Sequence, residues 1–242
     1  MNARNDYKLI IEKINEKSGN IRRGINQKRL NEQLELLFEI IKDIHFEKPH
    51  FLPFIKGNYL FDVVAEPYGL IESFRLRFLS YSGPDTAYIN PEFFPLGLEF
   101  DRYDKVSTHF YAKNLKNGQM CGYIRMIHNT PLCLQLEGNL DISDYRKKFK
   151  ICEASRYTTY PRKQPIVRKI LLENLKRFAK EKGVEKILGE GRLKFKSFFD
   201  SIGSIPMNPP RTWKLRDKKE WGSERDEMIY GNIIHLNQEG DR

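Results

Sequence analysis

Ile151-Cys152-Glu153-Ala154-Ser155-Arg156-Tyr157 reads as a buried β-strand, yet it carries a carboxylate and a guanidinium three residues apart. Side chains alternate along a strand, so Glu153 and Arg156 would fall on opposite faces. Bringing both to one site requires a β-bulge or the end of the strand, and bulges re-aim side chains next to active sites. Glu153 and Arg156 are therefore candidate catalytic residues. The alternative is an edge strand whose charges face water.

The surrounding pattern gives the fold class. Downstream, Pro165 opens a helix with a stripe of Val167, Leu171, Leu175 and Phe178, Gly183 sits where it should stop, and Val184 to Leu188 reads as the next strand. A phenylalanine-rich helix at about Leu193 to Ile202 and a late strand at Met228 to Leu236 follow. Upstream, strands at Thr108 to Lys113 and Gln119 to Ile127 flank Asn117-Gly118, a hairpin signal. Tyr59 to Ala65 is rich in β-formers, and Pro67 to about Ser80 reads as a helix. A hairpin, a strand, a crossover helix and another strand make an α/β protein with a mixed sheet flanked by helices.

Residues 1–48 read as a helical extension to a main domain at 49–242. Leu30, Leu34, Leu37, Ile41 and Ile44 recur at helical spacing, as do Tyr7, Ile10, Ile11 and Ile14 before Gly19 and Gly24; Pro49 and Pro53 mark the boundary. These helices are expected to cover part of the core. The basic run from Arg22-Arg23 to Lys28-Arg29 keeps a peripheral membrane contact as the alternative.

The chain has 242 residues, 40% of them hydrophobic, which suits a globular fold, and a net charge of +10, which calls for acidic partners. Cys121, Cys133 and Cys152 are odd in number and lack metal-ligand spacing, which argues against a disulfide framework and against a metal site. The polar start of the sequence and the lack of a long apolar run predict a cytoplasmic protein.

Three more charged clusters precede the Glu153 strand. Arg77 and Tyr81 are four apart and so neighbours on a helix; Glu99-Phe100-Asp101-Arg102-Tyr103-Asp104 follows, then Gly122-Tyr123-Ile124-Arg125. With Glu-Ala-Ser-Arg, this order and spacing resembles the acyl-homoserine-lactone (autoinducer) synthase family and its relatives, the N-acyl amino acid synthases and exosortase-associated acyltransferases. The resemblance spans about residues 58–205.

The resemblance implies a GNAT-like acyltransferase fold and transfer of a fatty acyl group from a thioester to an amine. Arg77, Asp101, Asp104, Arg125 and Arg156 would order the active-site wall and bind the amine-bearing substrate. Tyr81 and His109 would stand with them, His109 following Ser107 as in the exosortase-associated relatives. An amine is mostly protonated at neutral pH, so a carboxylate must help remove a proton, and Glu153 is the candidate base. A bulged strand could supply backbone donors to the oxyanion.

The connection Thr158-Thr159-Tyr160-Pro161-Arg162-Lys163-Gln164-Pro165 has no glycine, whereas a loop that wraps a pyrophosphate needs small residues. By resemblance, the donor is then acyl carrier protein, an acidic partner, with acyl-coenzyme A as the alternative and no permanently bound cofactor. Arg162, Lys163, Arg168 and Lys169, with Arg146, Lys147 and Lys148, could form the docking surface; the alternative is solvated charge. Autoinducer synthases usually carry a tryptophan where this chain offers at best Tyr88, which leaves an amino acid or another small amine as acceptor and favours a long-chain N-acyltransferase. Two other classes stand beside this reading. One is a degenerate acyltransferase fold acting as a regulatory or binding module. The other is a nucleic-acid binder using Leu193-Lys194-Phe195-Lys196-Ser197-Phe198-Phe199, against which stands the lack of a helix-turn-helix, zinc-finger or RNP signature.

Overall fold

A computed structural model describes residue 12 and residues 26–83, 89–161, 164–192, 196–207, 212–214 and 228–236. In chain order the helices are α1 (Gln27–Asp43), α2 (Pro67–Ser82), α3 (Ser143–Lys148), α4 (Pro165–Glu181) and α5 (Lys196–Ser201). The strands are β1 (Phe54–Lys56), β2 (Tyr59–Val63), β3 (Ser107–Asn114), β4 (Gln119–His128), β5 (Ile151–Thr159), β6 (Lys186–Arg192), β7 (Ile205–Pro206), β8 (Thr212–Lys214) and β9 (Met228–His235). They form one mixed sheet in the order β1-β2-β3-β4-β5-β6-β9-β7, with β8 beside β9. Every pairing is antiparallel except that of β5 with β6, which α4 connects as a crossover.

The expected elements are present with small shifts at their ends. The first helical segment, around Tyr7 to Ile14, lies almost wholly outside the described residues, as do residues 193–195 at the start of the phenylalanine-rich helix. Pro165 takes the first turn of α4, where its missing N–H costs nothing, and Gly183 follows the helix in the left-handed region at φ +69°. The predicted stripe of Val167, Leu171, Leu175 and Phe178 is buried on one face of the sheet against Phe110, Ile124, Met126, Cys152, Ile187 and Ile234. Gly122 allows this close approach, because a Cβ there would meet Val167 Cγ1 at 2.5 Å.

On the opposite face, α1 packs against α2. Leu37, Ile40 and Ile44 join Val64, Leu70, Ile71, Phe74, Leu96, Leu98 and Phe100, and burying side chains of this size is worth ~1.5–3 kcal/mol each. Arg29 Nε and Gln33 Nε2 both donate to the Phe93 carbonyl, and Lys105 pairs with Glu39 and Asp43. Thus α1 fastens both ends of the segment that carries Glu99, Asp101 and Asp104. Arg29 also stacks over the Phe93 ring, which ties this member of the basic run to the protein itself. No described helix is long and apolar enough to cross a membrane.

Two irregularities of β5 shape everything that follows. Its register with β4 shifts between Tyr123 and Arg125, and opposite that shift Arg156 adopts φ +56°, a conformation rare for a residue with a side chain. Its parallel ladder with β6 consists of Ile151↔Lys186, Cys152↔Ile187 and Glu153↔Leu188, after which β5 runs on to Thr159 and β6 to Arg192. The two strands therefore part like a fork, and Glu153 stands at its apex.

Candidate active site

The bulge does what the sequence required of it. Ser155 stands opposite Arg125, and Glu153 opposite Ile127, so both share the face that carries Tyr123 and Arg125. Regular alternation would point Arg156 the other way, but its left-handed backbone swings it onto this same face, where Arg156 Nε meets Glu99 Oε1 at 3.0 Å and Arg156 Nη2 meets Asp101 Oδ2 at 2.7 Å. From β4, Arg125 Nη1 reaches Asp101 Oδ1 at 2.8 Å and Asp104 Oδ1 at 2.7 Å, while Arg125 Nε donates to Ser155 Oγ at 3.0 Å. From α2, Arg77 Nε meets Glu99 Oε2 at 2.5 Å, and Arg77 Nη1 meets Asp104 Oδ1 at 2.7 Å.

Three guanidiniums and three carboxylates thus neutralise one another in a network that is buried at nearly every member. Burial by itself would push the aspartates up, but Arg125, with Arg156 at Asp101 and Arg77 at Asp104, holds both carboxyls well below the usual range. Asp104 Oδ2 also accepts the Asp101 N–H at 2.7 Å, and Asp101 Oδ1 the Tyr103 N–H at 2.9 Å, which fixes the loop between them. Removing any one partner strands a buried charge, a loss of ~3–5 kcal/mol.

Tyr81 is partly buried beside the network; burial, then Glu99, pushes its hydroxyl up to about 12, so it stays protonated. His109 occupies the network face but is not a free wall residue. Its Nε2 faces the Asp104 carbonyl oxygen at 2.9 Å and must carry the proton, which leaves Nδ1 to accept from the Tyr123 hydroxyl at 2.6 Å. Burial pushes the imidazole down to about 4, so His109 is a neutral prop with both nitrogens engaged.

Glu153 stands apart from these ion pairs. Its side chain is fully buried; Oε2 accepts the Leu136 N–H at 3.0 Å, and Oε1 has no partner among the described residues. Burial, with Glu190 adding to it, pushes the carboxyl up to about 8, against the pull of the Leu136 N–H and of Arg125 and Arg156. The turn that covers it, Gln135–Gly138, is tied to the network through Arg125 Nη2, which donates to Gln135 Oε1 at 2.7 Å. Glu99, Tyr123, Ser155 and Gln135 are additional members of the site. The first three lie inside the recognised sequence clusters, and the two-residue period places Tyr123 with Arg125 and Ser155 with Glu153. Gln135 comes from a loop with no periodic signal.

The proposed docking residues divide. Arg162 and Lys163 lie outside the described residues. Arg168 is not a free surface charge, because its guanidinium stacks over Tyr157 at 5.2 Å and Phe198 at 4.3 Å. Lys169 is exposed, 3.9 Å from Glu173, and exposed Ile166 lies near it on the first turn of α4. Arg146 pairs with Glu137, whereas Lys147 and Lys148 are exposed.

No family model matches the chain, and no curated protein matches it in sequence. Solved structures do match in fold. FeeM, an N-acyl amino acid synthase from uncultured soil microbes, is 14% identical with a TM-score of 0.57, over 76% of this chain and 92% of its own. The AHL synthase LasI is also 14% identical, with a TM-score of 0.50 over 75% of this chain and 92% of its own. The ribosomal-protein-S5-alanine acetyltransferase from Vibrio fischeri is 11% identical, with a TM-score of 0.50 over 77% of this chain and 98% of its own. The chain has the GNAT-like fold that these proteins share, as its sequence clusters implied.

Proposed function

We propose that this protein is an N-acyltransferase that moves a fatty acyl group from a carrier thioester to the amine of an amino acid or a related small molecule, in the cytoplasm. The observation that carries the reading is the Glu153 carboxyl: buried at the apex of the β5–β6 fork, half unpaired, and raised to about 8. A base works best when its pKa lies near the working pH, and this one does. In the step, the amine nitrogen bonds to the thioester carbonyl carbon and passes a proton to Glu153. The tetrahedral intermediate then collapses, the carbon–sulfur bond breaks, and the departing sulfur takes the proton back from Glu153 and leaves as the thiol. The rigid network of Arg77, Arg125, Arg156, Glu99, Asp101 and Asp104 would form the wall against which the acceptor is positioned.

Acyl carrier protein is the favoured donor. Lys169 and Ile166 offer an acidic helix both charge and an apolar contact beside the glycine-free loop, where the fold would otherwise wrap a pyrophosphate. The test is mass spectrometry of lipid extracts from cells expressing the protein or its Glu153→Gln variant. N-acylated amines should accumulate with the parent and fall on the order of 10²-fold or more with the variant. A product profile identical to that of non-expressing cells would refute the activity.

A further inference from the structure

We infer that one end of the sheet, where the β1–β2 and β3–β4 turns stand side by side, docks on the surface of an anionic lipid bilayer. This goes beyond the acyl-transfer reading and does not depend on it. Strand directions bring the parts together. Lys56 pairs with Tyr59, and Tyr59 with Asn114, so both turns leave the sheet at the same end. The Leu115 N–H ties them by donating to the Asn58 carbonyl at 2.8 Å. Strand β5 finishes at this end too: Thr159 pairs with Gly122, the Tyr160 N–H donates to the Cys121 carbonyl at 2.9 Å, and α4 starts a few residues on. A Cβ at Gly57 or Gly118 would meet nothing within 4 Å, so the two turns project clear of the protein.

Apolar side chains collect here. Among the described residues five large hydrophobic side chains are exposed, and four of them, Ile55, Leu115, Tyr160 and Ile166, belong to this end, each 44–63% exposed. The fifth, Ile205, lies on β7 at the far edge of the sheet. Exposed apolar residues scattered singly need no explanation, but a group of them marks a place of contact. The charge here is of one sign. Residues 51–61, 111–127 and 157–172 contain no Asp or Glu, and none of Lys56, Lys113 and Lys116 pairs with a carboxylate among the described residues. Asp62, the first acid after the β1–β2 turn, is held by Lys48 at 2.8 Å.

These features fit a bilayer better than a protein. Apolar side chains on separate turns can each sink among lipid headgroups, with the Tyr160 hydroxyl and the lysine ammoniums left at the polar level, where anionic lipids attract them. A second copy meeting the same patch would bring lysines against lysines. The edge of β1 offers it little, being three residues long, preceded by Pro53 and ended by Lys56.

The test is co-sedimentation of purified full-length protein with vesicles of phosphatidylcholine alone and of phosphatidylcholine mixed with phosphatidylglycerol. The parent should bind the anionic vesicles and not the neutral ones. Ile55→Ser with Leu115→Ser, at exposed positions that folding does not need, should lower the partition coefficient about tenfold or more. Lys56→Gln with Lys116→Gln should lower it by about fivefold for each lysine at low salt. A control pair, Lys42→Gln with Lys180→Gln, removes equal charge from the last turns of α1 and α4, near the other end of the sheet, and should change binding far less. No binding to anionic vesicles would overturn the inference. An equal loss in the two lysine pairs would also overturn it, by reducing the attraction to net charge. So would vesicle binding unchanged in both pairs at the turns; if those pairs instead lowered capture of purified acyl carrier protein, or self-association in analytical ultracentrifugation, the surface would belong to that protein or to a second copy. None of these outcomes bears on acyl transfer, which its own assay tests.

Discussion

At the scale of single residues, Glu153 has the most to say about pH. Its folded pKa lies above the ordinary carboxylate value, so between about 4.5 and about 8 the folded state holds a proton that the unfolded state has released. The stability this group contributes is full below the unfolded pKa and is lost as pH rises through the folded one. Glu153→Gln, which keeps the shape and drops the charge, should therefore flatten that decline and be more stable than the parent at pH 9, as measured by chemical denaturation at pH 5 and pH 9. The parent's kcat/KM should rise with pH and level off above about 8, because only the ionised carboxylate can take the proton. The variant's residual rate should lack that limb. Arg156 makes a second point at this scale. The sequence showed that Glu153 and Arg156 could share a site only by way of a bulge or the end of the strand, but not which of the two occurs or which residue would take φ +56°.

At the scale of elements, the network is held by α2, the loop between α2 and β3, and strands β4 and β5, so its members should behave as one unit. Asp101→Ala and Arg125→Ala should each impair transfer strongly. The double variant should be far less impaired than the product of the two defects, a coupling to be read from a double-mutant cycle in kcat/KM. Helix α1 is bolted to the same segment from behind. Leu37→Ala, at a fully buried position, should destabilise the protein by ~2–5 kcal/mol in urea denaturation. Much of this level was legible in the sequence. Arg77, Asp101, Asp104, Arg125 and Arg156 each stand in a short charged cluster, but periodicity gives a face only to Arg77 on its helix and Arg125 on its strand; Arg156 defies the alternation, and Asp101 and Asp104 lie in the loop between α2 and β3. Less was legible where long-range geometry decides. Arg168 reads as surface charge until Tyr157 and Phe198 close over it, and His109 reads as a wall residue until Tyr123 and the Asp104 carbonyl engage both its nitrogens. The β5–β6 fork depends on where a parallel ladder ends, which no local pattern records.

At the scale of the whole molecule, the net charge of +10 should act on encounter with an acidic donor rather than on chemistry. Lys169→Glu should raise the KM for acyl carrier protein, leave the KM for a small thioester unchanged, and lose its effect as salt approaches 1 M, where the screening length shrinks to ~3 Å. The fork has a consequence of a different kind, in the order of events. On the proposed thioester reading, a sheet that opens at one point, with the Glu153 carboxyl on the network face and α4 on the other, gives each substrate its own door. Both could then be seated at once, and neither need leave before the other enters. Initial-rate plots against both substrates should accordingly intersect rather than run parallel, and no acylated form of the protein should accumulate when the donor is supplied alone.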